Sequence, residues 1–446
     1  MSQLSNRDSV LKWLTELYGD QKEYLQAVEE IVDHVMPVSN ASEAYKRYDV
    51  VRRLCVPERI IHFNVQWMND DGGVEIHRGW RVQHNGLIGP YKGGLRFHPT
   101  VNESVLKFLA FEQSFKNALT GLPMGGAKGG SDFNPKGRSD TEIMRFCQAF
   151  MAELQRHIGP QTDVPAGDIN VSSREIGFMY GQYRRIHNQF GGTLTGKDIS
   201  FGGSHVRTEA TGFGLIYMLQ EVLAANDDTL EGKRTGISGA GNVALHAALK
   251  ACESGAVVTS LSNSRGCLIK KDGLSKHDIQ FAIEQKHNYD NILLAIREKS
   301  GGEWHEGKKP WHQTADICLP CATQNELDED DADVLCGNGV KYVLEGANMP
   351  CTANAQKVFA EQRIPFVPGK ASNAGGVALS GLEMMQNASF RRSSYDTLDN
   401  ELKKIMKHIY EQCVEEGRED SFTDYAKGAN IAAFRRLADA MVAQGL

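Results

Sequence analysis

Three lysines sit in unusual company. Leu122-Pro123-Met124-Gly125-Gly126-Ala127-Lys128-Gly129-Gly130 surrounds one with four glycines, and Tyr91-Lys92-Gly93-Gly94-Leu95-Arg96-Phe97 reads as a glycine-rich turn carrying another. Between them, Gln113 and Lys116 are three apart and share one helix face. Two or three ammonium groups converging on one cleft make a site for a small dianion. They depress one another's pKa, and burial adds to the effect. A lysine poised near neutrality can act as a general base, hold a water or form a Schiff base. Glycines around Lys128 let backbone and substrate approach closely. The segment is not a phosphate loop, because no Ser or Thr follows the lysine and the Walker spacing fails. Downstream, Asp163-Val164-Pro165-Ala166-Gly167-Asp168 sets Asp168 behind a Pro-x-Gly turn, a loop position suited to a functional carboxylate. Gly369 to Val377 precedes a helix bearing Ser380, at the C-terminal end of a parallel strand, where such sheets bind ligands.

A second constellation lies at Ile237-Ser238-Gly239-Ala240-Gly241-Asn242-Val243-Ala244, a GxGxxA fingerprint. Its context is strand, loop, helix and second strand, as a dinucleotide site requires. Gly239 makes the tight turn, Gly241 admits a pyrophosphate and Ala244 lets helix and strand pack. Asn242 and Val243 open the helix whose N-terminus faces that anion. An NAD site usually carries an acidic residue ~20 residues on, at the end of the second strand. Here that end reads Ser260-Leu261-Ser262-Asn263-Ser264-Arg265, with no carboxylate. Ser262, Ser264 and Arg265 suit a 2′-phosphate, so NADP is the expected cofactor.

The elements that must position these groups change character along the chain. The first 57 or so residues read as helical. Arg59 to Met68 and Val74 to His84 read as strands joined by Asn69-Asp70-Asp71-Gly72-Gly73. Asn102 caps a helix running to Leu119, and Ser139-Asp140 opens another that stops at Gly159-Pro160. From about residue 200, short apolar strands alternate with helices, which implies a parallel sheet covered by helices. The expected fold is α/β with two domains and a cleft between them. Residues 1–200 form an α+β substrate and oligomerisation domain, residues 201–424 a Rossmann-like doubly wound dinucleotide domain, and the helix at 425–446 returns to the first.

Length and composition agree. At roughly 150 residues per domain, 446 residues suit two or three domains. A net charge of −7 disfavours nucleic-acid binding. No apolar run approaches the ~18 residues of a membrane helix. Nine scattered cysteines suit a reducing compartment rather than a disulfide framework. The Cys318–Cys321 pair lacks the partners of a metal site, so no metal is expected. The N-terminus has neither a signal peptide's apolar centre nor a transit peptide's character, and a cytoplasmic location is expected.

Taken together, the segments 89–99, 122–135, 162–168, 200–214, 237–244, 319–326, 345–350 and 369–388 resemble the hexameric small-subunit glutamate dehydrogenases, of the NADP-dependent type, within the Glu/Leu/Phe/Val dehydrogenase family. The resemblance implies that Lys128 is the catalytic lysine and that Asp168 exchanges protons with the amino group. Lys92 and Ser380 bind the substrate's side-chain carboxylate. Gln113 and Lys116 hold the α-carboxylate, and the Gly167 carbonyl binds the amino group. Thr211, Asn242 and Asn348 contact the cofactor, Asn373 lies near the nicotinamide, and Arg207 joins the same polar network. The substrates would be L-glutamate, 2-oxoglutarate and ammonium, with NADP(H) as cofactor, in a homohexamer. Asn263 departs from the family pattern, where many relatives carry Asp. NAD dependence, a sister leucine, phenylalanine or valine dehydrogenase, and a non-catalytic nicotinamide sensor are the alternatives.

Overall fold

Hydrogen bonding at both ends of the Asn69–Gly73 turn reverses the chain. The Asn69 N–H donates to the Gly73 carbonyl at 2.9 Å, and the Gly73 N–H donates back to Asn69 Oδ1 at 2.8 Å. In the computed structural model, β1 (Arg59–Met68) and β2 (Val74–Asn85) therefore pair antiparallel from Arg59↔Gln83 to Met68↔Val74. The structure describes residues 6–420 and 422–445; the first five residues of the N-terminal stretch lie outside them.

The chain divides into two compact units, one of residues Met1–His205, Val377–Leu398 and Asn430–Leu446, the other of Val206–Gly376 and Asp399–Ala429. Four helices open the first unit: α1 (Arg7–Tyr18), α2 (Lys22–Ala41), α3 (Glu43–Arg47) and α4 (Val50–Leu54). After the hairpin come β3 (Tyr91–Phe97), α5 (Glu103–Leu119), β4 (Gly126–Ser131), α6 (Asp140–Leu154), β5 (Asp163–Gly167) and α7 (Ser173–His187). The sheet order is β1-β2-β4-β3-β5. Asn102 caps α5 by accepting from the Val105 N–H at 3.0 Å, and Ser139 with Glu142 forms a capping box on α6. That helix ends at Leu154, earlier than its Gly159-Pro160 stop signal, and tightens into a 3₁₀ turn at Gln155–His157.

Two sequence expectations change here. Tyr91–Phe97 is a buried strand rather than a turn, and Pro165-Ala166-Gly167 is strand too. Arg81 of β2 supplies the physical reason. Its side chain donates from Nε to Asp163 Oδ2 of β5 at 2.9 Å and from Nη1 to the Gly93 carbonyl of β3 at 3.0 Å. A Cβ on Gly129 of β4 would lie 3.0 Å from Arg81 Cδ. The glycines thus clear a path for an arginine that crosses the sheet, with both charges fully buried. Pro165 is tolerated because β5 is the edge strand.

The second unit holds α8 (Ala210–Ala224), β6 (Arg234–Ile237), α9 (Asn242–Glu253), β7 (Val257–Asn263), β8 (Gly266–Ile269), α10 (Lys276–Gln285), α11 (Ile292–Ser300), β9 (Glu303–Glu306), β10 (Ile317–Leu319), α12 (Glu329–Gly337), β11 (Tyr342–Leu344), α13 (Ala353–Glu361), β12 (Phe366–Val367) and α14 (Gly369–Ser372). The sheet order is β12-β11-β10-β6-β7-β8-β9. Five strands are parallel, but β8 and β9 add an antiparallel edge that the all-parallel expectation lacked. The order reverses between β6 and β10, which marks the ligand-binding end of such sheets.

Three helices close the chain: α15 (Gly375–Ser389), α16 (Tyr395–Gly417) and α17 (Tyr425–Ala443). Residues 377–398 fall in the first unit rather than with the dinucleotide fold. Glu383 of α15 pairs with Lys197 at 3.0 Å, both side chains fully buried, and accepts from the Gly196 N–H at 2.9 Å. A Cβ on Gly381 would lie 2.6 Å from Leu122 and 2.9 Å from Met124, so this helix packs at glycine distance on the segment leading into β4. Residues 430–446 also belong to the first unit. There Arg436 of α17 donates to the carbonyls of Ala118, Gly121 and Leu122, at the C-terminus of α5. Among the described residues no helix is long and apolar enough to cross a membrane.

Candidate active site

β4 is six residues long, all buried, and every one but Lys128 is glycine, alanine or serine. A Cβ on Gly126 would sit 2.5 Å from Ser114 Cα, so only glycine lets α5 lie this close to the strand. That approach brings Gln113 and Lys116 of α5 to the strand bearing Lys128. Gln113 donates to Asn117 Oδ1 at 2.7 Å, and Asn117 Nδ2 donates to the Lys92 carbonyl at 3.1 Å. Asn117 therefore couples the helix to β3, a role with no sequence signal beyond its place on the same helix face. Lys92, 1% exposed, is on β3, which runs parallel to β4. Lys116 is half-buried on α5. Ser380 is buried on α15.

Lys128 and Asp168 meet. The ammonium nitrogen lies 3.1 Å from Asp168 Oδ2, at the exit of β5. Arg96 of β3 donates from Nε to the same carboxylate at 2.8 Å, a partner that sequence reasoning missed. A Cβ on Gly94 would lie 2.8 Å from Asp168 Cβ and 2.9 Å from the Gly167 carbonyl oxygen, so this glycine keeps both groups accessible from β3. Burial pushes the Lys128 ammonium below the ordinary lysine range. Asp168 opposes that shift, while the charges of Arg96 and Arg81 reinforce it. Burial alone would raise the Asp168 carboxyl, but the charges and hydrogen bonds of Lys128 and Arg96 outweigh it and hold the acid well below the usual carboxylate range. The pair is thus a charged aspartate beside a lysine that gives up its proton easily, an arrangement for moving protons at a bound substrate.

In the second unit, Gly239 follows β6 with φ +91°, a conformation that favours glycine. Its N–H donates to Ser262 Oγ at 2.9 Å, so Ser262 shapes the loop and keeps its own proton to donate. A Cβ on Gly241 would meet nothing within 4 Å, and no side chain caps α9. Open space in front of an uncapped helix N-terminus fits a pyrophosphate. Asn242 Oδ1 accepts from Lys286, a cation the fingerprint did not reveal. Val243 lies in the first turn, and its carbonyl would be 2.7 Å from a Cβ on Gly212, so α8 packs closely on α9. Asn373 donates to Asn348 Oδ1 and to the Ala347 carbonyl, each at 3.0 Å. Arg207 lies in the turn before α8, and Thr211 in the helix's first turn lies where a Cβ on Gly376 would come within 2.4 Å of its hydroxyl. Arg265 occupies the two-residue turn between β7 and β8 and chelates Asp290 at 2.6 and 2.8 Å.

The Gly241 geometry separates folding from binding. Gly241→Ala is expected to leave stability within about 0.5 kcal/mol of the parent, because its backbone is extended and its Cβ is unopposed. The same methyl group stands where the pyrophosphate would approach, so dinucleotide affinity should fall by about tenfold or more. Urea denaturation and fluorescence titration check the two halves; undiminished binding would remove the pyrophosphate from this loop.

Residues 202–445 match the family model for Glutamate/Leucine/Phenylalanine/Valine dehydrogenase. Residues 57–185 match the Glu/Leu/Phe/Val dehydrogenase dimerisation domain. The chain is 50% identical over 442 residues to the glutamate dehydrogenase of Bacteroides thetaiotaomicron, covering 99% of this chain and 100% of that one. It is 49% identical over the full length of both chains to the NADP-specific glutamate dehydrogenase of Escherichia coli. It is 48% identical to the NAD-specific enzyme of Bacteroides fragilis, over 99% of this chain and 100% of that one. Among solved structures, Plasmodium falciparum glutamate dehydrogenase superposes with a TM-score of 0.96 at 46% identity, covering 99% of this chain and 94% of that one. The hetero-hexameric glutamate dehydrogenase of Thermus thermophilus superposes with a TM-score of 0.79 at 26% identity, covering 88% of this chain and 91% of that one.

Proposed function

The chain belongs to the Glu/Leu/Phe/Val dehydrogenase family, and from that premise we propose that it catalyses the reversible oxidative deamination of L-glutamate to 2-oxoglutarate and ammonium with NADP(H). The observation that carries the reading is the Lys128–Asp168 pair one strand away from the buried Lys92. In this reading Lys92 and Ser380 hold the side-chain carboxylate, and Gln113 and Lys116 hold the α-carboxylate. Two such clamps fix the α-hydrogen in one direction and lower the barrier by positioning. The nicotinamide, when bound, takes up the hydride that leaves the α-carbon. The Gly167 carbonyl accepts a hydrogen bond from the substrate nitrogen, and Asp168 carries protons to and from that nitrogen. Arg96 keeps Asp168 charged between transfers. Neutral Lys128 withdraws a proton from water as it attacks the imine carbon, and its protonated form then polarises the carbinolamine oxygen. A Schiff base through Lys128 is unnecessary, because the substrate already supplies the imine nitrogen.

The Gly239 and Gly241 loop, with Asn242 and the first-turn Val243, would hold the pyrophosphate. Thr211, Asn348 and Asn373 would contact the nicotinamide half. Ser262 and Arg265 would face the ribose 2′-phosphate, and Lys286 adds a second cation to the same loop. NAD dependence is the second reading, favoured by the carboxylate of Asp290 on Arg265. Initial rates of NADPH and NADH oxidation with 2-oxoglutarate and ammonium test the proposal, with α-ketoisocaproate as the control acid. Turnover of α-ketoisocaproate in preference to 2-oxoglutarate would move the chain to a sister dehydrogenase. Failure to turn over either acid despite cofactor binding would favour a sensor.

A homohexamer in the cytoplasm completes the proposal. It is supported by the match to a dimerisation domain and by the exposed apolar side chains Ile60, Met68, Val74 and Ile76 along the β1–β2 hairpin, at the sheet edge. The double variant Ile76→Lys, Met68→Lys is expected to dissociate the assembly while leaving the folded chain intact, because both side chains are more than half exposed. Sedimentation velocity reads the result; an unchanged hexamer would exclude the hairpin from the interface.

A further inference from the structure

Six residues between α10 and α11, Lys286 to Asn291, close a ring around the end of β7. Lys286 donates to Asn242 Oδ1 in the glycine loop. Asn291 Oδ1 accepts from Asn263 Nδ2 at 2.9 Å and caps α11 by accepting from the Leu293 N–H at 3.1 Å. Asp290 grips Arg265 with both carboxylate oxygens. The ring closes through Ser262, whose hydroxyl accepts from Gly239. It carries two cations, Lys286 and Arg265, and one anion, Asp290.

We propose that Asp290 sets the cofactor selectivity of this enzyme by masking Arg265, so that a 2′-phosphate must displace a carboxylate before it can use the guanidinium. The inference rests on the reading of β7's end as the adenosine-ribose subsite. Asp290 and a 2′-phosphate are anions competing for one bidentate donor, and they repel each other when both are near it. A ribose that bears only hydroxyls has no use for the guanidinium and does not meet that competition. Arg265 is 49% exposed and Asp290 84% exposed, so the pair is a weak lock that a better ligand can open, not a permanent one. A soft lock of this kind gives graded preference between the two nicotinamide dinucleotides rather than strict rejection of either. The Arg265 backbone N–H donates to Asn263 Oδ1 at 2.9 Å, and Asn263 Nδ2 donates to Asn291 Oδ1 at 2.9 Å, which ties the turn to the 286–291 segment.

The test is calorimetric, on the intact protein, with the fragments 2′,5′-ADP and 5′-AMP. Asp290→Asn removes the charge and keeps the side-chain volume. It is expected to tighten 2′,5′-ADP by about fivefold, with 5′-AMP moving by less than about twofold. The gain should shrink as salt rises from about 0.05 to 0.5 M. In an Arg265→Ala background the same change should gain clearly less, because the mask has nothing left to cover. The NADPH-to-NADH ratio of kcat/KM should move in the same direction. Equal shifts for both fragments, or none, would overturn the proposal. A parent enzyme that prefers NADH would refute the NADP reading of the whole protein, and the fragment ratio of Asp290→Asn would still decide the role of Asp290 by itself.

Discussion

Lys128→Ala is expected to reduce turnover of glutamate and of 2-oxoglutarate by about 10⁴-fold. General acid–base catalysis by a positioned side chain is worth about 10²–10⁴-fold, and charge stabilisation of a tetrahedral oxygen adds to it. The residue is 4% exposed on a strand hydrogen-bonded along both edges, so no neighbouring group can swing into its place. Dinucleotide affinity should stay within about twofold of the parent, because the Lys128 ammonium pairs with Asp168 and the proposed pyrophosphate contacts come from the Gly239–Asn242 loop. Single-turnover kinetics and fluorescence titration check the two halves. Loss of NADPH binding would move the lysine to the cofactor site.

The same lysine gives a pH signature with a definite sign. In the proposed mechanism the neutral amine is the base in deamination, so the rate is expected to rise with pH through the Lys128 pKa. Burial sets that pKa below the ordinary lysine value, Asp168 raises it, and Arg96 lowers it further. Arg96→Gln removes a cation and should move the limb to higher pH. Asp168→Asn removes the opposing anion and should move it to lower pH, on top of a lower maximal rate from the lost proton carrier. The pH profiles of kcat/KM for glutamate in the two variants check this. Shifts of one sign in both would exclude Lys128 as the group that titrates.

Local chemistry made part of this site legible in the sequence. The Asn69–Gly73 turn, the Asn102 cap and the Gly239-x-Gly241 loop each act within a few residues, and each folds as its residue types require. What stayed hidden depends on partners far along the chain. Glycine and proline at 93, 94 and 165 look like turn residues, yet Arg81 reaches Asp163 across them, 82 residues away in sequence. Arg96 finds Asp168 over 72 residues and Asp290 finds Arg265 over 25, and no spacing rule announces either pair. The return of residues 377–398 to the first unit rests on the buried Lys197–Glu383 pair, 186 residues apart. Short strands escaped for a different reason: β8 and β9 have four residues each, and Gly266-Cys267 and Trp304-His305 give no clean alternation to read.

Lys92→Leu is expected to convert the preference for glutamate into one for an apolar amino acid. Lys92 is 1% exposed, and water cannot stand in for its ammonium group once a substrate fills the site. With leucine there, the γ-carboxylate of glutamate would enter a buried place with its cation gone. Breaking a buried charge pair by removing one partner costs about 3–5 kcal/mol, so kcat/KM for glutamate should fall by about two hundred- to five thousand-fold. Norvaline and methionine carry no such charge and gain apolar contact, at about 0.8 kcal/mol per buried methylene, so their kcat/KM should rise. The loss for glutamate should appear mainly in KM, since the proposed clamp would hold the substrate's far end in ground and transition states alike. The fold should survive, because Asn117 holds β3 through the Lys92 backbone carbonyl, which the substitution keeps. Initial rates across glutamate, norvaline and methionine, with thermal unfolding as the control, decide it. Unchanged glutamate kinetics in a folded variant would remove Lys92 from the side-chain carboxylate clamp.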